Sequence, residues 1–239
     1  MDRGGRPLIT LRRAAARGHA DSGWLDTRYS FSFADYRDPE HMGFSVLRVI
    51  NEDHIAPKGS FAPHPHRDME IVTYVLSGAL AHQDSMGNGS VIRPGEVQRM
   101  SAGTGVVHSE TNPSPTEPLH LLQIWILPAS RGIEPSYEQQ PVPAADPDTG
   151  LSLVAAPAGR GGAVQLHQDA SMHVARLAAG GSARLPLGPG RRAWVQVVRG
   201  SVTVNGQALV AGDGARLEAE SSVELHAPEG TEALVFDLP

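Results

Sequence analysis

The run Val72-Thr73-Tyr74-Val75-Leu76-Ser77-Gly78-Ala79-Leu80 joins a β-branched strand to a turn glycine and a second strand, which indicates a β fold. Its second part, residues 75–80, resembles Val197-Val198-Arg199-Gly200-Ser201-Val202. Each copy is followed by a hairpin turn and by a strand that ends in glycine, at residues 91–96 and 208–213. This internal repeat predicts two related β units built on one ancestral pattern.

Short apolar runs separated by turn signals continue the same pattern along the chain. Residues 121–127 and 195–198 are strand-like, whereas residues 84–89 and the pair Asn205-Gly206 have turn composition. Helical periodicity is weak, so we predict an all-β fold of the sandwich or barrel type. A stretch rich in Pro, Ala and Gly predicts a linker at 141–162, between an N-terminal domain at 1–140 and a C-terminal domain at 163–239.

Composition narrows the functional classes. The 239 residues include no cysteine, so disulfides and thiolate metal sites are excluded and any metal must be held by histidine and carboxylate groups. The net charge is −6 and no basic cluster is present, which disfavours direct nucleic-acid binding. No apolar run is long enough to span a membrane, and Met1-Asp2-Arg3-Gly4-Gly5-Arg6 leads into no apolar segment. A cytoplasmic location is therefore expected.

Two short polar clusters carry the candidate chemistry. His64-Pro65-His66 and His108-Ser109-Glu110 each place two possible metal ligands at i and i+2, and those positions share one face of a β-strand. Two such strands in one β unit would aim three imidazoles and one carboxylate at a single point. These four groups could bind a divalent metal ion and leave coordination positions of the ion open for substrate and dioxygen.

The choice of carboxylate is open at this point. Glu70 lies four residues after His66, so an unbroken strand would turn it toward the same site. The tight spacing of His108 and Glu110 favours Glu110. Eight other histidines fit ordinary surface or core roles, and His82 stands out among them because it follows the Gly78 turn on a strand that could line the site.

The repeat predicts how many metal sites the chain holds. Counting without gaps from the paired glycines places Pro186 and Gly188 opposite the first cluster, and Leu225 and Ala227 opposite the second. None of these side chains binds a metal. We therefore expect one metal per chain, in the N-terminal unit.

Longer motifs resemble a known family. Gly59-x4-His64-x-His66-x3-Glu70-x7-Gly78 and Gly105-x2-His108-x3-Asn112 resemble the two cupin motifs, although Gly103 replaces the usual proline of the second. The longer strings that resemble the pirin family are residues 23–26, 30–34, 64–70, 100–105, 108–110, 194–200 and 234–238. The resemblance covers nearly the whole chain.

The resemblance to pirins implies a bicupin fold, with two jelly-roll β-barrels packed together and one metal in the N-terminal barrel. The implied ligands are His64, His66, His108 and Glu110, which moves Glu70 away from the metal. Iron is the expected ion, while Zn, Ni, Co, Mn and Cu stay open. The resemblance to bacterial members of this type implies that the chain is a metal-dependent quercetin 2,3-dioxygenase. Such an enzyme opens the flavonol ring with O2 and releases carbon monoxide.

In that reaction Glu110 would serve as both ligand and base, no organic cofactor would be needed, and a monomer is expected. Two alternatives stay open. The first, implied by the resemblance to eukaryotic pirins, is a metal-binding, redox-sensing regulatory protein that acts as a transcriptional co-regulator. A cupin enzyme that takes another aromatic enol is the third hypothesis.

Overall fold

The computed structural model describes residues 8–239 as an antiparallel β structure, and the predicted absence of a leader at Met1–Arg6 falls outside these residues. Short 3-10 helices lie at Ala14–Ala16 and Arg160–Gly162. The strands are β1 Leu8–Arg12, β2 Gly18–Asp21, β3 Leu25–Tyr29, β4 Leu47–Ile55, β5 Ser60–His66, β6 Glu70–Ser77, β7 Leu80–Asp84, β8 Gly89–Ile92, β9 Glu96–Ser101, β10 Val106–Thr111, β11 Leu119–Ile126, β12 Ser136–Pro141, β13 Ser152–Pro157, β14 Val164–Leu166, β15 Ser171–Leu177, β16 Ser182–Pro186, β17 Arg192–Arg199, β18 Ser201–Val204, β19 Gln207–Val210, β20 Gly214–Glu218, β21 Ser222–His226 and β22 Thr231–Leu238.

Membrane-spanning helices are absent from the described part of the chain: neither helix there is long and apolar enough to cross a bilayer.

The chain forms two compact units that exchange short segments. The N-terminal unit comprises Gly18–Val142 and Pro157–Gln168. Residues 8–17 belong instead to the C-terminal unit with Pro143–Ala156 and Asp169–Pro239, because β1 pairs along its whole length with β20. The expected linker at 141–162 is therefore divided between the two units, and its residues 152–157 form strand β13.

The N-terminal unit is a sandwich of two antiparallel sheets. The larger sheet has the strand order β12-β9-β6-β11-β4-β3-β2, and the smaller sheet has the order β5-β10-β7-β8. Their inner faces carry apolar residues such as Ile55, Val75, Leu80 and Leu121, as the alternation of a strand buried on one face predicts. The sheets stay separate and do not close into a barrel.

The C-terminal unit repeats this arrangement. Its larger sheet contains the order β1-β20-β17-β22-β15-β13, and its smaller sheet is β16-β21-β18-β19. The smaller sheets of the two units share one order of equivalent strands, since β5, β10, β7 and β8 correspond to β16, β21, β18 and β19. The predictions of an all-β fold and of a repeated cupin-like unit are confirmed.

One detail of the repeat is wrong. The ungapped count made Pro186 the equivalent of His64 and Leu225 the equivalent of His108. His64 and His108 are direct partners across β5 and β10. Leu225, however, is the partner of Ala183. The count back from the first glycine pair and the count forward from the second are therefore inconsistent, because Pro186 and Leu225 are not partners as His64 and His108 are.

A difference in loop length accounts for two of the three residues that separate Pro186 from Ala183. The connection between β16 and β17 spans residues 187–191, whereas the connection between β5 and β6 spans only 67–69. Counting across it selected the exposed Pro186, while Ala183 and Leu185 point into the core. A shift by an odd number of residues turns a strand to its other face. The corrected inner positions are apolar, and they carry no possible metal ligand.

The turn glycine Gly78 provides a stability test. It has a φ of +78°, and a Cβ there would lie 2.6 Å from the Pro118 carbonyl oxygen. Gly87 has a φ of +92° with nothing within 4 Å, so it is a matched control. We expect Gly87→Ala to cost about 1 kcal/mol for its backbone conformation, and Gly78→Ala to cost roughly 1–3 kcal/mol more for the clash. Urea unfolding measures both, and equal losses would contradict the proposed close approach.

Candidate metal centre

Three histidines meet on the inner face of the smaller N-terminal sheet. His64 and His66 lie on β5, and His108 lies on the neighbouring β10 as the direct partner of His64. The ring centroids of His64 and His108 are 4.4 Å apart, and both are within 4.8 Å of the His66 ring. One ligand nitrogen from each ring lies within 4.8 Å of the others. This group could hold a divalent metal ion.

Hydrogen bonds set which ring nitrogens are available. His64 Nδ1 donates to the Ala62 carbonyl oxygen at 2.8 Å, because a carbonyl can only accept. That tautomer leaves a lone pair on His64 Nε2. His108 Nε2 is buried and has no hydrogen-bond partner within the described residues. A buried nitrogen without a partner is costly, and a metal ion would satisfy it.

A chain of hydrogen bonds through His82 and Asp84 holds the His108 imidazole by its Nδ1. Asp84 Oδ2 lies 3.1 Å from His82 Nε2, and His82 Nδ1 lies 3.4 Å from His108 Nδ1. Burial alone would raise the pKa of Asp84, but hydrogen bonds from Asn88, from His82 and from the backbone N–H groups of Asn88 and Met86 hold it below its usual value. The carboxylate therefore accepts from His82 Nε2, His82 Nδ1 accepts from His108 Nδ1, and His108 Nε2 is left free for a metal.

The protonation of the group suits metal binding. Burial, with a smaller effect of His64, lowers the pKa of His66 to about 4. Burial and the neighbouring imidazoles lower the pKa of His108 to about 2. Both rings are therefore neutral at pH 7, which is the form that binds a metal. The donor set fits a first-row divalent ion.

Glu110 lies two residues after His108, on the same inner face of β10. Its carboxylate groups with His82 and His108, and both its oxygens accept from Gln123 Nε2, at 3.0 and 3.1 Å. Gln123 Oε1 in turn accepts from the Thr73 hydroxyl at 2.9 Å. Burial raises the pKa of Glu110 to about 7, although the hydrogen bond from Gln123 opposes the rise. The carboxylate is thus held in one orientation by the larger sheet.

Glu70 lies on the other face of its strand. Its neighbour Ile71 lines the inner cavity, so Glu70 points to the opposite side of β6. There its Oε2 accepts from the Ser101 hydroxyl at 3.0 Å and from the His167 backbone N–H at 3.1 Å. The strand is broken at Asp68, which has a φ of +50°. The prediction that Glu70 could face the site assumed an unbroken strand from His66, and this break is why it is wrong.

The histidines open onto a cavity of about 550 Å³ between the two sheets. Its apolar wall is aromatic and includes Trp24, Phe33, Phe61 and Trp125. The Trp125 ring meets the His66 ring edge to face, with centroids 5.0 Å apart. The cavity has the size and the largely apolar lining of a small-molecule site.

Comparisons with known proteins agree with this two-unit cupin architecture. The family model described as pirin matches residues 10–126, and the model described as quercetinase C-terminal cupin domain matches residues 153–238. The fold and the site thus define a protein of two cupin domains. The chain belongs to the pirin family.

The relatives are similar along nearly their whole length. The quercetin 2,3-dioxygenase of Escherichia coli K12 is 49% identical, covering 97% of this chain and 99% of the relative. A pirin-like protein of Caulobacter vibrioides is 42% identical over 92% of this chain and 95% of the relative. The crystal structure of the bacterial pirin YhhW from E. coli in complex with nickel(II) has a TM-score of 0.92 and 48% identity, covering 97% of this chain and 99% of that one.

His82 was not among the expected ligands, and its position behind His108 gives a test. We expect His82→Leu to weaken nickel binding about 10–100-fold, because the His108 ring loses the partner that fixes its tautomer. The measurement is a chelator-competition titration of metal-free protein. His54→Gln is the matched control, since His54 stacks on His120 with centroids 3.9 Å apart on the other face of β4. Unchanged affinity in His82→Leu would contradict the role of the chain of hydrogen bonds.

Asp53 lines the cavity and gives a pH test. Burial raises its pKa to about 6, from about 3.9 in an unfolded chain. The folded state then holds a proton that the unfolded state has lost, so this group lowers stability as pH rises through 6. Between pH 5 and pH 8 we expect the wild type to lose about 1.4 kcal/mol relative to Asp53→Asn. Urea unfolding at both pH values measures this gap, and Asp148→Asn at an exposed turn should show none.

Proposed function

We propose that this chain is a metal-dependent dioxygenase that opens the flavonol ring of quercetin-like substrates with O2 and releases carbon monoxide. The observation that carries the proposal is the group of three imidazoles facing a cavity of about 550 Å³ with aromatic lining. The 49% identity to a protein named quercetin 2,3-dioxygenase supports the same activity.

The proposed ligands of one divalent ion are His64, His66, His108 and Glu110. The three histidines offer nitrogens within 4.8 Å of one another, and Glu110 lies beside His108 in the adjoining group. The nickel(II) complex of the related E. coli pirin supports a divalent ion in this family. We propose iron as the native ion, and metal analysis of protein purified without added metal tests that choice against Zn, Ni, Co, Mn and Cu.

When bound, such an ion supplies Lewis-acid chemistry that lowers the pKa of a substrate hydroxyl and favours reaction with dioxygen. Glu110 accepts the hydroxyl proton, for which a raised pKa near neutrality is suited. Gln123 holds the carboxylate oxygens during this transfer through its two hydrogen bonds. Thr73 fixes Gln123 from the next strand.

The cavity walls orient the flavonol and exclude water. Phe33 and Phe61 belong to the aromatic lining, and Trp125 stands against His66. The substrate gains both oxygen atoms of O2 as two ring bonds break. The carbon that carried the reacting hydroxyl leaves with its own oxygen as carbon monoxide, and the product is an ester.

Oxygen uptake and carbon monoxide release with quercetin test the proposal on metal-loaded protein. We expect His66→Ala to lose bound metal and turnover together. Glu110→Gln should lower kcat about 10²–10⁴-fold, because the proton acceptor is removed. Metal content is measured for every variant, so that loss of the ion is separated from loss of the base.

His226→Gln, on strand β21 of the C-terminal unit, is the control and should keep wild-type turnover. Full turnover in His66→Ala would show that the metal-centred mechanism is wrong. Turnover of quercetin without carbon monoxide would show that the ring opens by another route.

A further inference from the structure

The cavity wall opposite the histidines is polar and buried. Asn51 and Asp53 lie on β4, and Thr27 is the direct partner of Asp53 on β3. These three residues line the cavity and are 4%, 5% and 2% exposed. The candidate metal mechanism uses none of them, and they belong to the larger sheet, whereas the histidines belong to the smaller one.

The wall presents acceptors with few donors to match them. Asn51 Oδ1 is buried and has no hydrogen-bond partner within residues 8–239. The Asp53 carboxyl lines the same cavity as Glu110, and the described residues that line the cavity include no lysine or arginine. Buried acceptors without donors cost free energy, so a molecule that brings hydroxyl groups would be stabilised there.

Register places this wall on the strand next to Gln123, beyond the carboxylate that Gln123 holds. Asn51 is the direct partner of Gln123, which in turn bonds Glu110. Asp53 lies two residues further along β4, beside the apolar Leu121. A ligand that reaches from the histidines across the cavity would therefore meet Glu110 first and then Asn51 and Asp53.

We propose that Asn51 and Asp53, with Thr27 beside them, form an acceptor wall that binds the hydroxyl groups of the substrate remote from the metal. This inference rests on the proposed function, and it narrows the substrate class to polyhydroxylated flavonols. A site built to accept hydrogen bonds rejects a ligand that lacks them, because the buried acceptors are then left unpaired.

Binding without oxygen tests the acceptor wall separately from turnover. Quercetin is compared with 3-hydroxyflavone, which keeps only the hydroxyl that the proposed function assigns to the metal. Trp24 and Trp125 line the cavity, so quenching of tryptophan fluorescence in anaerobic, metal-loaded protein reports both affinities. We expect quercetin to bind at least about tenfold more tightly in the wild type.

The variants Asn51→Leu and Asp53→Leu each remove an acceptor with little change in size. Each should weaken quercetin binding about tenfold and leave the affinity for 3-hydroxyflavone within about twofold. Glu52→Gln is the matched control, because Glu52 lies between the two residues but faces outward, where it pairs with His120 at 3.0 Å. Metal content and thermal unfolding show that each variant is intact, and the two variants test the wall independently.

Equal wild-type affinities, or an unchanged quercetin preference in both variants, would overturn the acceptor wall. Oxygen uptake on the same samples separates the two proposals. Uptake with quercetin but no preference in binding would leave the dioxygenase proposal standing and the wall refuted. A preference that the variants abolish, without any uptake, would support the wall and refute the dioxygenase. If neither flavonol binds, both proposals fail.

Discussion

The pairing of β5 with β10 is the constraint on which the candidate site depends. Because His64 is the direct partner of His108, the i and i+2 side chains of both strands emerge on one inner face. The hydrogen-bond ladder thus fixes the distance between the imidazoles before any metal is present. The larger sheet adds a second layer of control through Gln123, which holds Glu110. Within the smaller sheet, the chain from Asp84 through His82 holds His108.

Much of this site follows from local sequence periodicity. The two-residue period of a strand brings His64, His66 and His108 to one face, and the same period with the turn glycines predicts the repeated sandwich. Periodicity is reliable only while a strand continues. Asp68 interrupts the chain after His66, so the extrapolation to Glu70 turned that residue to the wrong face.

Other features depend on pairing between distant segments, which one sequence does not reveal. The exchange of residues 8–17 into the C-terminal unit depends on pairing between β1 and β20, some 200 residues apart. The role of His82 depends on Asp84 and His108 being its neighbours across β7 and β10. The polar wall at Asn51 exists because strand pairing in the larger sheet turns Asn51 and Asp53 toward the cavity. In the sequence, Asn51 and Asp53 belong to a run of four polar residues at 51–54 of β4, so nothing there distinguishes the inward side chains from the outward ones.

The C-terminal unit carries Ala183, Leu185 and Leu225 on the strands that correspond to the histidine-bearing pair. A metal restricts both the identity and the direction of its ligands, whereas a core accepts many apolar side chains of suitable volume. After duplication of the ancestral unit, selection for chemistry would then act on one copy and selection for packing on the other. The two halves of such a gene should accordingly diverge at different rates, with the inner positions of the second half drifting freely among aliphatic residues.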